Sequence, residues 1–346
     1  MLKRLRHHLR QLGPGLITGA SDDDPSGIAT YSQAGAQFGT RMLWSLVITL
    51  PLMAAIQLVS ARIGYVTGHG LAANMKRAFP RPWLLLLVGL LVTANTLNIA
   101  ADIAAMAEAL RLLVGGSAHV YAITFGLACV VMQVFLPYQS YVRWLKWLTL
   151  ALLAYLGVVC MVHIDWGEVL LHALLPQLRW DADLLLTLVA VLGTTISPYL
   201  FFWQAGQEVE DRQAGAGQPH SAHEVRRHLR RIKFDTIVGM SFSNAIAFFI
   251  MLSTAATLHR AGITHIETSA QAVEALRPLA GHQAALLFAL GIIGTGLLAV
   301  PVLAGWEGSL SLKLERGQGR GFYGVIAVAT LVGVALCFSP MDPVRE

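Results

Sequence analysis

Apolar residues in this chain come in long, nearly unbroken runs, without the strand-like alternation of period two or the narrow stripe of a surface helix, and each run ends at charge, proline or glycine. A helix needs about 20 mostly apolar residues to cross a bilayer. Nine runs approach that length: Leu12 to Phe38, Met42 to Val66, Trp83 to Val114, His119 to Pro137, Trp147 to Ile164, Leu184 to Gln207, Phe234 to Leu258, His282 to Gly305 and Phe322 to Phe338. The pattern predicts an all-α, multi-pass membrane protein with about nine transmembrane helices.

The basic residues give the topology. Cytoplasmic connections carry the Lys and Arg of a membrane protein. With the N-terminus inside, 19 of the 25 Lys and Arg fall in inner segments: Lys3 to Arg10, Arg62 to Arg81, Arg143 and Lys146, Arg212 to Lys233, and Lys313 to Arg320. The N-terminal basic cluster lacks a following cleavage signal, so it reads as retained rather than as a signal peptide. The longest inner linker, 212–233, separates residues 1–211 (five spans plus a sixth) from residues 234–346 (spans seven to nine). Five spans before the sixth would turn the second half upside down relative to the first. His220, His223 and His228 in the linker lack acidic or thiol companions at ligand spacing, and read as solvated.

Two of the spans are broken. The first contains Asp22-Asp23-Asp24-Pro25-Ser26-Gly27 and the sixth contains Gly193-Thr194-Thr195-Ile196-Ser197-Pro198-Tyr199. A carboxylate and a disrupted backbone at membrane depth are tolerated only where they line an interior cavity. Breaks at the first helix of each of two inverted halves mark a transporter's substrate site. Carbonyls freed there carry partial negative charge, and Asp24 adds a full one, so the substrate is expected to be a cation. No Lys or Arg lies mid-span to neutralise it.

Composition narrows the alternatives. The chain is 55% hydrophobic and 13% charged, whereas a soluble domain is roughly a quarter charged. The net charge of +5 is modest and resides in the inner loops, so nucleic acid is not an expected partner. Cys129, Cys160 and Cys337 stand singly in apolar surroundings and read as buried thiols. No cofactor and no obligatory protein partner are expected. The lipid bilayer and the transported ion are.

The residues around the breaks resemble the Nramp divalent-metal transporters. Gly13-Pro14-Gly15, Asp24-Pro25-Ser26-Gly27, Ala29-Thr30 and Gln37-Phe38-Gly39 follow that family's first helix. Ala61 to Gly64, Val66 to Gly68, Ala151 to Tyr155 and Gly193 to Pro198 extend the likeness over about Gly13 to Gly305. It implies a leucine-transporter-like fold of two inverted five-helix repeats in a cell membrane, a bacterial inner membrane being the expected one. The ion would bind where helices one and six cross. This chain reaches Glu346 after a ninth span, so the second repeat is expected to be incomplete and the missing helix to impair transport.

The departures from the family pattern bear on selectivity. The family's Asp-Pro-Gly-Asn is here Asp24-Pro25-Ser26-Gly27, and its sixth-helix methionine and histidine are Ser197 and Tyr199. Losing the thioether leaves an all-oxygen site, which suits Mg2+ better than softer ions. In this the chain is similar to the Nramp-related bacterial magnesium transporters. By that resemblance, Asp24, Gly27 and Thr194 or Ser197 contact a hydrated ion. Asp102, Tyr199, Asn95 and Asn98 are candidates for the pathway around it. For Asp102 an inter-helix network is slightly favoured over a transport role, and for Asp235 and Asn244 the network is favoured clearly.

The family's acidic pair in the third helix is reduced to Asp102, its partner position being Ala105, and no histidine lies near either break. Uptake without proton movement is therefore the expectation, with Mn2+ also carried. Glu208 and Glu210, just past the sixth span, read as solvated carboxylates sooner than as exit-lining ones. Competing readings are a proton-coupled Mn2+/Fe2+ symporter, an organic-cation or amino-acid carrier of the same fold, an intramembrane aspartyl protease using Asp24 and Asp102, and a truncated remnant that binds without transporting.

Overall fold

The computed structural model describes residues 14–135, 149–177, 181–214, 222–266, 268–304 and 320–338, and these are almost entirely helical. The first span is two half-helices, α1 (Pro14–Asp22) and α2 (Pro25–Phe38), separated by Asp23 and Asp24. A 3-10 turn, Gly39–Met42, leads to α3 (Leu43–Thr67), the short α4 (Leu71–Ala78), α5 (Arg81–Val114) and α6 (Ala118–Phe135). A second 3-10 turn, Thr149–Leu152, opens α7 (Leu153–Met161), and α8 (Trp166–Leu174) follows. The sixth span is again two half-helices, α9 (Ala182–Thr195) and α10 (Pro198–Ala214). Then come α11 (Ala222–Thr254), α12 (Ser269–Ala304) and α13 (Arg320–Leu336).

Helix covers the described part of every apolar run, and five helical stretches among the described residues are long and apolar enough to cross a membrane. Exposure is inverted relative to a soluble protein. Leu85, Leu90, Leu186 and Val189 are each at least 60% exposed, while Asp22, Asp23, Asp24 and Asp102 are at most 2% exposed. A lipid solvent explains both, since it welcomes leucine and drives polar groups inward.

The interior has two apolar regions. One gathers Ile28, Tyr31, Tyr155, Ile250, Met251 and Phe288 around α2, α7, α11 and α12, with the Tyr155 and Phe288 rings stacked at 4.3 Å between centroids. The other gathers Ile99, Ile103, Met106, Tyr199 and Trp203 around α5, α6, α10 and α12. Both broken helices lie between them.

Close packing of α1 on α11 depends on glycine. A Cβ on Gly15 would fall 2.7 Å from the Thr236 nitrogen, and one on Gly19 would run into the Gly239 carbonyl. Any side chain there would force two backbones apart. Asp235 completes the contact, its Oδ2 accepting the Gly15 N–H at 2.8 Å and so satisfying one free donor at the start of α1.

Two readings from sequence change. Within the linker 212–233, α10 continues to Ala214 and α11 begins at Ala222. His228, one of the histidines read as solvated, is instead half-buried and stacks on Tyr65 at 4.5 Å, while His220 lies outside the described residues. Cys160 is exposed on the outside of α7, unlike the buried Cys129 and Cys337. Lipid solvates a thiol as readily as it does leucine, so nothing draws Cys160 inward.

The α1–α11 contact makes a prediction. Gly19→Val should destabilise the protein by about 1–3 kcal/mol, the usual cost of overpacking. A melting temperature in detergent matching wild type would show that the two backbones are not held in contact.

Candidate functional site

Both breaks form for local reasons. Asp24 has extended backbone angles (φ −69°, ψ 164°) and caps α2, its carboxylate accepting the Gly27 N–H, with Pro25 in the first helical position. An aspartate cap followed by proline is a strong helix start. Pro198 starts α10 with a proline in the first helical position too, three residues beyond the end of α9 at Thr195. The Ser197 hydroxyl turns back to donate to the Thr194 carbonyl at 2.7 Å and the Gly193 carbonyl at 3.3 Å, satisfying the end of α9.

The two breaks meet. Tyr31 on α2 and Thr195 on α9 share a hydroxyl hydrogen bond of 3.1 Å. The Tyr199 hydroxyl reaches the Ser21 carbonyl and Asp24 Oδ2, each at 3.1 Å. A Cβ at Gly27 would lie 3.1 Å from both Asp24 Oδ1 and Thr194 Oγ1, so only the missing side chain separates the carboxylate from the threonine hydroxyl.

Counting acceptors shows what Asp24 still offers. Oδ1 takes the Gly27 N–H at 2.7 Å and the Ser26 hydroxyl at 2.8 Å, while Oδ2 takes only Tyr199. With about two lone pairs per oxygen, one on Oδ2 remains open. Asp102 is joined to the same point, its Oδ1 accepting the Ser26 N–H at 3.1 Å while its Oδ2 has no partner among the described residues.

Sequence reading used Asp24 alone of its triplet. The structure also buries Asp22 and Asp23, and gives them one donor between them: the Ser243 hydroxyl, 2.5 Å from Asp22 Oδ2 and 3.3 Å from Asp23 Oδ1. A hydroxyl has a single proton, so it cannot serve both. Asp22 Oδ1 and Asp23 Oδ2 lack partners among the described residues. Nothing in the sequence ties Ser243 to this triplet, since the two lie more than 200 residues apart.

The remaining candidates lie elsewhere. The Asn95 amide donates to the Leu303 carbonyl at 3.0 Å and ties α5 to α12. Asn98 is half-buried two positions before Ala100 on α5. Glu208 is corrected outright: only 1% exposed, it is not a solvated carboxylate. Glu210 is half-buried and accepts from the Gln207 amide at 3.2 Å. Asp235 joins α11 to α1 as a network residue, as expected.

A cavity of about 430 Å3 reaches this centre between α2, α5 and α9, with Ser26, Thr30, Ala101, Thr187 and Ile266 in its wall. Ser26 bonds both Asp24 and Asp102, so the cavity floor is one hydroxyl away from the carboxylates. Gln33, also in its wall, holds a rim strand by accepting the Ile266 N–H at 2.6 Å.

Two broken helices meeting at a buried carboxylate, beside a polar-walled cavity, are the architecture of a membrane carrier for a cation. The chain belongs to the Nramp family, matching the natural resistance-associated macrophage protein-like domain over residues 15–346. Members of that family are transporters rather than enzymes. A divalent metal cation transporter, MntH, of Acidiphilium cryptum is 28% identical over 312 residues, covering 87% of this chain and 69% of the relative. The proteins of that name from Verminephrobacter eiseniae and Pectobacterium carotovorum are also 28% identical, covering 82% and 97% of this chain and 64% and 80% of their own lengths. The fold is that of the solved manganese transporter of Eremococcus coleocola, with a TM-score of 0.74 at 16% identity, covering 96% of this chain and 71% of that one. That similarity shows the leucine-transporter-like architecture expected from the sequence.

Asp24→Ala should weaken divalent-cation binding roughly tenfold to a hundredfold, the equivalent of a charged contact worth about 1.5–3 kcal/mol. Tyr199→Phe keeps the carboxylate and should retain binding. Isothermal calorimetry showing the reverse order would move the site away from Asp24.

Proposed function

We propose that this chain carries divalent metal cations across the membrane, binding them partly hydrated at the junction of the two broken helices, with the N-terminus on the cytoplasmic side. The observation that carries the reading is the convergence of Asp24, Gly27 and Thr194 with one lone pair of the carboxylate left open. The curated relatives are named as divalent metal cation transporters, which agrees.

The ligand set favours Mg2+. Asp24, Asp102, Thr194, Ser197 and the carbonyls freed at the breaks offer oxygen alone, and one direct carboxylate bond suits an ion that keeps several of its waters. Gly27 leaves room for them. The structural neighbour is a manganese transporter, so Mn2+ carriage is the second reading, and Mn2+ also accepts an oxygen site.

Driving force is read from the same residues. Asp102 holds the Ser26 N–H, has Ala105 where the family keeps a second acid, and no histidine stands at either break. Uptake is then driven by the ion gradient and the membrane potential. Because the cavity opens beside α2 and α9, the described state is the one that loads from the outer side.

Uptake of Mg2+ and Mn2+ measured side by side in proteoliposomes tests the substrate. Mg2+ flux without acidification of the lumen is expected, and Mn2+ flux with proton entry above an ionophore control would replace this reading by a proton-coupled symporter. Ser197→Met should shift the Mn2+ to Mg2+ ratio upward by adding a soft ligand. An unchanged ratio would place residue 197 outside the coordination shell.

A further inference from the structure

On the inner side of the site, α10 carries a polar stripe at four-residue spacing through the Leu200 carbonyl, Gln204 and Glu208. The Gln57 amide donates to the Leu200 carbonyl at 3.0 Å and to Gln204 Oε1 at 2.6 Å, and the Gln204 amide donates to the Thr236 hydroxyl at 2.9 Å. Every amide in the stripe is matched. Glu208 is not: it is 1% exposed, and neither carboxylate oxygen has a hydrogen-bond partner among the described residues.

Neighbouring guanidinium groups are engaged elsewhere. Arg231 on α11 is paired with Asp211 at 3.0 Å, and Arg212 donates to the carbonyls of Tyr65 and Val66 at the end of α3. The charges acting on Glu208 are Arg231, Asp211 and Asp235, two of the three being carboxylates. The packed elements add Tyr65 from α3, His228 from the start of α11 and, at the exposed end of α4, Lys76 and Arg77. Asp22 is the titratable residue of α1 and sits at its far end, beside Asp24. On α12, Glu274, Arg277 and His282 belong to its first half, at the opposite end from the helix terminus at Ala304. A buried carboxylate with no hydrogen-bond donor among the described residues, and with the Arg231 guanidinium already paired to Asp211, is accommodated as the neutral acid. Opened to water, the same group ionises.

Glu208 also lies where the inner seal must part. It is ten residues along α10 from Pro198, about 15 Å at 1.5 Å per residue, at a depth close to that of the Gly15–Asp235 bond that holds α1 on α11. An ion at Asp24 can leave inward only when packing at this depth loosens.

We propose that Glu208 is a proton-binding site of the inner half, occupied while that half is closed and emptied to the cytoplasmic solution when it opens. The inference rests on the transporter reading and goes beyond it: the proton enters and leaves on one side, so it governs opening without being carried across. The sign follows from linkage. The closed form binds one more proton than the open form, so raising inner pH favours opening, by at most about tenfold per pH unit for a single group.

The experiment is Mg2+ uptake into proteoliposomes sorted for one orientation, with membrane potential clamped and the pH varied separately on each face. Wild type should turn over faster as inner pH rises. Glu208→Gln, a permanent mimic of the neutral acid, should lose that response while still binding Mg2+ by calorimetry, and Glu208→Asp should keep it. A wild-type rate independent of inner pH, a Glu208→Gln variant with the wild-type pH response, or loss of Mg2+ binding in that variant would each overturn the proposal. Failure of Asp24→Ala to weaken Mg2+ binding would instead overturn the transporter site and leave the Glu208 result standing.

Discussion

Everything in this structure is arranged around negative charge that lacks a positive side chain. Asp22, Asp23, Asp24 and Asp102 are buried, and the basic residues lie in the connections and at the span ends. In a medium of low polarity such a group needs compensation nearby, and an unpaired charge is among the costliest things a protein can bury. The breaks supply it. The start of α2 turns the Gly27 N–H on Asp24 and the Ser26 N–H on Asp102, Ser26 and Tyr199 turn their hydroxyls on Asp24, and in the proposed function a divalent ion supplies the charge that remains. Site and fold are thus one solution to a single electrostatic problem.

The same requirement explains why the two breaks must coincide. A single interrupted helix would leave its free backbone groups facing lipid, which cannot hydrogen-bond them. Bringing α1, α2, α9 and α10 to one point lets each half complete the other. The Tyr199 hydroxyl on α10 shares its proton between the Ser21 carbonyl of α1 and Asp24, and Thr195 on α9 meets the Tyr31 hydroxyl of α2. The cavity between α2, α5 and α9 is compatible with this because Ser26, Thr30 and Thr187 bring polar groups to its wall.

What could be read in advance was whatever a local rule governs. Asp24-Pro25 and Ser197-Pro198 announce helix starts in residues adjacent along the chain, so both breaks were legible, as were the apolar runs between them. The roles of partners distant in sequence were not. The Ser243 hydroxyl meets Asp22 across 221 positions, and Asn95 meets the carbonyl of Leu303 across 208; neither leaves a trace in spacing. Glu208 misled for another reason. Its neighbours, Gln207, Glu210, Asp211 and Arg212, are those of a solvated helix end, and only the packing of α10 on α3 and α11 takes this one residue out of water.

The glycine contact between α1 and α11 has a mechanical consequence. Surfaces that meet through long side chains can interlock in several registers, and each separation leaves rotamers to be searched again on return. Gly15 and Gly19 meet Thr236 and Gly239 main chain against main chain, and the Asp235 carboxylate on the Gly15 N–H is the side chain that must re-form its bond. The half-helix can therefore lift away and settle back into the same seat every time, as a ground joint does. A carrier that repeats one motion indefinitely keeps its alignment through the residues that have no side chain.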